Sequence, residues 1–165
     1  ARNLAATPGM ARFVPNVGTN IGSAVPNPKT ATDIAAIPGR IYTVGDRVEV
    51  PANPEFGASQ HVATTILAAN AVDRHVRGAL NVTTDDSLLD VARERDLDPL
   101  EFDPEYDDRE TRLRTRFDER GTVPRVAFHR GAFGIEPITY VFGETAVEAT
   151  ALVAELVATV AVEAG

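Results

Sequence analysis

Two hydrophobic periods alternate along the chain. Val62, Ile66, Leu67 and Ala69 recur at helical spacing, so a helix is expected from a cap at Ser59 to about Asp73. Leu88, Leu89 and Val91 mark a second helix, capped by Asp85 or Asp86. Residues 107–120 are charged throughout, with Leu113 and Phe117 as the one strong apolar pair, four residues apart. Residues 144–162 form a long run rich in alanine and valine, read as a last helix. Between these lie short apolar runs with strand character: ALNV (79–82), PLEF (99–102), RVAF (125–128) and ITYVF (138–142).

The first third is less regular. Residues 1–12 read as a loosely held lead-in, since Pro8-Gly9 interrupts any helix. Val17 to Val25 mixes glycine with apolar residues, as a strand beside close backbone does, and Pro26-Asn27-Pro28 ends it. Thr32-Asp33 suggests a capped helical turn running to Pro38-Gly39. RIYTVGDRVEV (40–50) alternates apolar and polar residues around Gly45-Asp46, a hairpin pattern. Strands alternating with helices imply an α/β layered fold, and the hairpin argues against a purely parallel sheet. The length of 165 residues suits one domain. Residues 1–12 are expected to be the end of a linker from a domain that precedes Ala1.

Composition narrows the setting. No apolar run is long enough to span a membrane, and the chain has no cysteine, which excludes disulfides and thiolate metal sites. A cytoplasmic location is expected. The formal net charge is −8, and only one of the 16 basic residues, Lys29, is a lysine. Surplus carboxylates with arginine in place of lysine suit a surface kept soluble at high salt, so a halophilic source is expected. The same surface repels nucleic-acid phosphates.

Candidate chemistry gathers around PEFGASQH (54–61). The first N–H groups of a helix lack partners and carry the positive end of its dipole. Gly57, Ala58 and Ser59 would let a phosphate approach that backbone, with His61 in the first turn, its proton affinity lowered by the dipole. A plain Ser cap with a surface histidine accounts for the same residues. Arg40 follows a Pro-Gly turn, Asn16 and Asn20 lie among glycines, and Glu136 ends the loop GAFGIEP (131–137). Each is ambiguous alone. His75 reads as solvated, and His129 fits either a structural or a functional role. Arg109, Arg112, Arg116 and Arg120 share a helical stripe, but interleaved acids make it a solvated, salt-bridged face.

Taken in order, VPNVGTNIGSAVP, DIAAIPGRI, NPEFGASQHVATTILAA, ALNV and FGIEPITYVFG resemble the ThiN family of archaeal-type thiamine phosphate synthase domains, over about residues 12–160. The resemblance implies a three-layer α/β/α sandwich with a mixed sheet, usually dimeric. Fused behind a pyrimidine kinase, such domains join hydroxymethylpyrimidine diphosphate to thiazole phosphate and release pyrophosphate. Fused behind a helix-turn-helix domain, they act as ligand sensors of thiamine-biosynthesis repressors. The enzymes' activity rests on an arginine and a histidine that match Arg40 and His61, commonly with Mg²⁺. The resemblance implies no other cofactor and no protein-built metal site.

The chain departs from the enzyme pattern at Asn70, Thr83, Pro104 and Ile135, where a methionine, two arginines and a lysine are usual, and it has no tryptophan-bearing loop near 109–121. Losing those cations removes charge that a departing pyrophosphate needs. The sequence therefore favours a sensor that binds thiamine phosphate through Asn20, Arg40, Gly57, Ala58, Ser59, His61 and Glu136. Glu136 would face the cationic thiazolium or the aminopyrimidine. Such a sensor would meet DNA only through a separate helix-turn-helix domain. The alternative is an active synthase.

Overall fold

The computed structural model describes every residue except Tyr106. A seven-stranded sheet forms the middle layer, in the order β5-β2-β1-β6-β9-β8-β7. Its strands are β1 (Ile21–Ala24), β2 (Ile34–Ala36), β5 (Glu55–Phe56), β6 (Gly78–Thr83), β7 (Leu100–Glu101), β8 (Val126–His129) and β9 (Ile138–Gly143). β7 and β8 run parallel, and every other neighbouring pair is antiparallel, so the sheet is mixed. The hairpin expected at 40–50 is present as β3 (Tyr42–Val44) and β4 (Arg47–Glu49), a separate two-stranded unit.

Alternating side chains let both faces of the sheet bury apolar surface. Ala79, Ala127, Tyr140 and Phe142 pack with α2 (Gln60–Val72) and with Leu113 and Phe117 of α4 (Arg109–Arg120). Leu80, Val82, Phe128 and Val141 pack on the opposite side with α3 (Asp86–Glu94) and α5 (Ala146–Ala164). The result is a three-layer α/β/α sandwich. Each of the four long helices starts at a side-chain cap: Ser59, Asp85, Asp108 and Thr145. The first turn of α5 lies close over the sheet where Gly78 faces Gly143. A Cβ on Gly78 would fall inside the van der Waals envelope of the Thr145 carbonyl and the Ala146 amide.

Two expectations are corrected. Residues 1–12 are not loosely held. A short helix α1 (Arg2–Ala5) and a 3₁₀ turn (Met10–Phe13) insert fully buried Leu4, Met10 and Phe13 into the core. The helical turn expected at 32–38 stops at Asp33. Thr30 caps that turn in a reciprocal box with Asp33, and Ile34–Ala36 goes on as strand β2 against β1. A single β-branched residue followed by two alanines carries too little pattern to separate a strand from a helix, and pairing with β1 decided it.

Candidate functional site

At one end of the sheet the chain leaves β6 and β8 and enters β1 and β9, and the start of α2 arrives on the same side. These termini enclose a cavity of about 280 Å³. Asn20, Arg40, Ser59, His61 and Glu136 all line it. Residues from four separate stretches of sequence are thus brought together. Gly57 and Ala58 are not among the lining residues. The Gly57 amide donates to the Ile34 carbonyl (3.0 Å), so its N–H is spent on β2, and its φ of +76° makes it a turn residue.

The α2 start keeps part of its donor set. Ser59 Oγ accepts from the Val62 amide at 3.4 Å, which leaves its own hydroxyl proton and the helix-start amides before Val62 without an intrahelical acceptor. His61 is held neutral near pH 7. Burial pushes its pKa down first, and the guanidinium groups of Arg40 and then Arg109 push it further. The direction matches the sequence expectation, but its causes are burial and two arginines.

Arg40 and Glu136 hold one another's surroundings in place. Arg40 Nη1 donates to the Val17 carbonyl (2.6 Å). Glu136 accepts from the Asn16 amide (2.8 Å) through one carboxylate oxygen and from the Val17 amide (3.0 Å) through the other. The Val17 peptide is therefore gripped from both sides. Arg40 keeps further N–H donors for a ligand, because a guanidinium carries five. Its backbone has φ of +62°, a left-handed conformation next to Gly18, where any Cβ would crowd the Arg40 side chain. Glu136, expected to face a cationic ring, also accepts from a backbone amide through each of its oxygens. Asn20 is also a builder. Its Oδ1 accepts from the Ile21 and Ile37 amides and its Nδ2 donates to the Ile37 carbonyl, tying β1 to the turn that carries Arg40.

One functional candidate escaped the sequence, and another was left undecided there. Arg109, read as one member of a solvated stripe, lines the cavity from the first residue of α4. Its guanidinium lies 5.9 Å from the centre of the Phe102 ring and donates to the Pro104 carbonyl. A cation in the first turn opposes the helix dipole, and that misfit was the available signal. His129 also lines the cavity, with only 1% of its surface exposed. Burial and then Arg109 push its pKa down to about 4. Of the four departures weighed in the sequence, Asn70 lies away from the cavity and donates to the carbonyls of Arg74 and Val76. Ile135 lines the cavity with an aliphatic side chain.

The residues do not assemble a Mg²⁺ site. Among the described residues no three His, Asp or Glu side chains cluster as metal ligands, and each oxygen of the Glu136 carboxylate accepts from a backbone amide.

Fold and cavity define an α/β/α domain in which a cavity joins two guanidinium groups, a helix start and an apolar wall. The family model described as thiamine-phosphate synthase ThiN matches residues 1–155, and the chain belongs to that family. It is 32% identical over 148 residues to the bifunctional thiamine biosynthesis protein ThiDN of Methanocaldococcus jannaschii, covering 82% of this chain and 34% of that protein. It is 31% identical over 150 residues to the thiamine-phosphate synthase ThiN of Methanothermobacter thermautotrophicus, covering 85% of this chain and 79% of that one. The chain thus spans about a third of the first relative. The crystal structure of the C-terminal domain of a phosphomethylpyrimidine kinase superposes with a TM-score of 0.83 at 26% identity, covering 94% of this chain and 92% of that domain.

Proposed function

We propose that this domain is a thiamine phosphate synthase, joining hydroxymethylpyrimidine diphosphate to thiazole phosphate with release of pyrophosphate. The observation that carries the reading is the convergence of Arg40, Arg109 and the start of α2 on one cavity. Sequence alone favoured a sensor because cations had been lost; Arg109 supplies one from an unexpected helix, and both curated relatives bear names of biosynthetic proteins.

The thiazole nitrogen lone pair attacks the methylene carbon of the pyrimidine. The carbon–oxygen bond breaks, pyrophosphate leaves with the electron pair, and the new ring nitrogen becomes cationic. No proton has to move. Arg40, Arg109 and the Ser59 end of α2 stabilise the charge that develops on the leaving group. His61, neutral, offers an N–H to a phosphate oxygen without adding a cation that would bind the product too tightly. Mg²⁺, where it takes part, would arrive with the diphosphate.

A second reading, the thiamine phosphate sensor of a repressor, is favoured by Ile135, an aliphatic side chain in the cavity where the enzymes carry lysine. It would reach DNA through a separate helix-turn-helix domain. Both readings carry a homodimer, a cytoplasmic setting and a halophilic source as proposals. The deciding experiment incubates the protein with both precursors and Mg²⁺. Thiamine monophosphate forming over many turnovers supports the synthase. Tight binding of thiamine monophosphate with no turnover overturns it in favour of the sensor.

A further inference from the structure

We infer that His129 is a specificity-determining residue of the cavity, presenting a neutral Nε2–H donor to an uncharged ring-nitrogen acceptor of the ligand; this rests on the cavity being a thiamine phosphate site.

The tautomer follows from one hydrogen bond. His129 Nδ1 lies 3.1 Å from the Gly131 amide, and a backbone N–H can only donate, so Nδ1 accepts. A neutral imidazole then carries its proton on Nε2. The ring cannot swing away. It meets the Phe102 ring edge-on, with centroids 5.2 Å apart and planes at 80°, and its residue is paired with Ile138 across β8 and β9. Gly131 is closely packed, since a Cβ there would collide with Pro137 and the Ile135 carbonyl. Nε2 is the remaining polar atom of a side chain almost wholly removed from water, in a residue that lines the cavity.

Charge decides what the donor reads. The charged groups around the ring are Arg109 on α4, Arg40 beyond it and Glu136, whose carboxylate is tied to backbone. No free carboxylate lies among the cavity-lining residues to favour an imidazolium, and burial with Arg109 disfavours it. A phosphate would favour the charged ring, and in the proposed reading phosphate is met by Arg40 and the Ser59 end of α2. Beside His129 the wall is Ile138 and Tyr140, apolar and aromatic. A flat heteroaromatic ring with an in-plane nitrogen lone pair fits that surface. In thiamine phosphate and its pyrimidine precursor, the aminopyrimidine has such nitrogens.

The test titrates thiamine monophosphate, its analogues with each pyrimidine ring nitrogen replaced in turn by C–H, and inorganic pyrophosphate, by calorimetry. Binding of thiamine monophosphate to the wild-type protein tests the cavity reading by itself. One analogue is expected to bind wild-type protein at least about tenfold more weakly. His129→Phe should bind parent and analogue alike, with pyrophosphate affinity unchanged, and His129→Gln, which keeps an N–H near Nε2, should recover part of the discrimination. Should His129→Phe also lose pyrophosphate, the pocket is damaged, and the analogues on wild-type protein decide. Equal affinity of wild-type protein for parent and both analogues overturns the inference while leaving the cavity reading intact.

Discussion

At the residue scale, chemistry resides in side chains whose partners come from distant stretches of sequence. Arg109 illustrates this. On its own helix it belongs to a stripe with Arg112, Arg116 and Arg120, but the α2–α4 layer turns the first residue of α4 toward the cavity. Arg109→Ala should weaken thiamine monophosphate binding by about tenfold to a hundredfold, the loss of roughly 1.5–3 kcal/mol expected for hydrogen bonds to a charged group. Arg112→Ala, exposed on the same helix and not lining the cavity, should change it little. Calorimetric titration of both variants checks this. Similar affinities would remove Arg109 from the site and with it the main argument for a synthase. Arg40 and His61 were legible because they stand beside recognisable turns. Arg109 and His129 were not, because their meaning lies in which way an element faces, and neither a mixed-charge helix nor a strand end declares its facing.

At the element scale, the helices α2 to α5 and most strands were legible, and β2 and β5 were not. α2 and α5 follow from apolar-rich runs of 13 and 19 residues, and α4, of 12 residues, from a single apolar pair at helical spacing. β2 and β5, of three and two residues, carry almost no periodicity of their own. β2 exists because β1 offers an edge and Asn20 ties Ile21 to Ile37 just beyond β2, and β5 pairs in turn with β2. Asn20→Ala should therefore act on both stability and function. It strips partners from the Ile21 and Ile37 amides and the Ile37 carbonyl, all in a buried setting. Leaving such groups unpaired costs about 1–3 kcal/mol each at most. For a domain of this size each kcal/mol lowers the melting temperature by roughly 2–4 °C. The same change frees the turn bearing Arg40, so affinity for thiamine monophosphate should fall even at temperatures where the variant is fully folded. A thermal melt combined with titration at 10 °C separates the two effects. A destabilised variant with unaltered affinity would show that Asn20 holds β2 without positioning Arg40.

At the scale of the whole molecule, the surface carries a signal that the fold does not need. Twenty-four acidic residues face 16 basic ones, for a net charge of −8. The ion pairs that do form are mostly exposed, such as Arg93–Asp90 and Arg95–Glu155, and pairs of that kind add little stability. The excess carboxylates repel one another over distances comparable to the Debye length, which is about 10 Å at 0.1 M salt and about 3 Å at 1 M. Molar KCl should therefore raise the melting temperature. Concentrated salt can also strengthen apolar burial, so the charge argument needs its own control. Asp46, Glu119 and Glu163 are exposed and do not line the cavity. Replacing all three by lysine adds two charges per site, which takes −8 to −2. If self-repulsion is the cause, this variant should melt higher than the parent in dilute buffer and gain less from KCl. Thermal scans of both proteins at 0.1 M and 2 M KCl provide the check. An equal salt gain in the two would assign the effect to apolar burial, and a parent that gains nothing would remove the physical basis for a high-salt habitat.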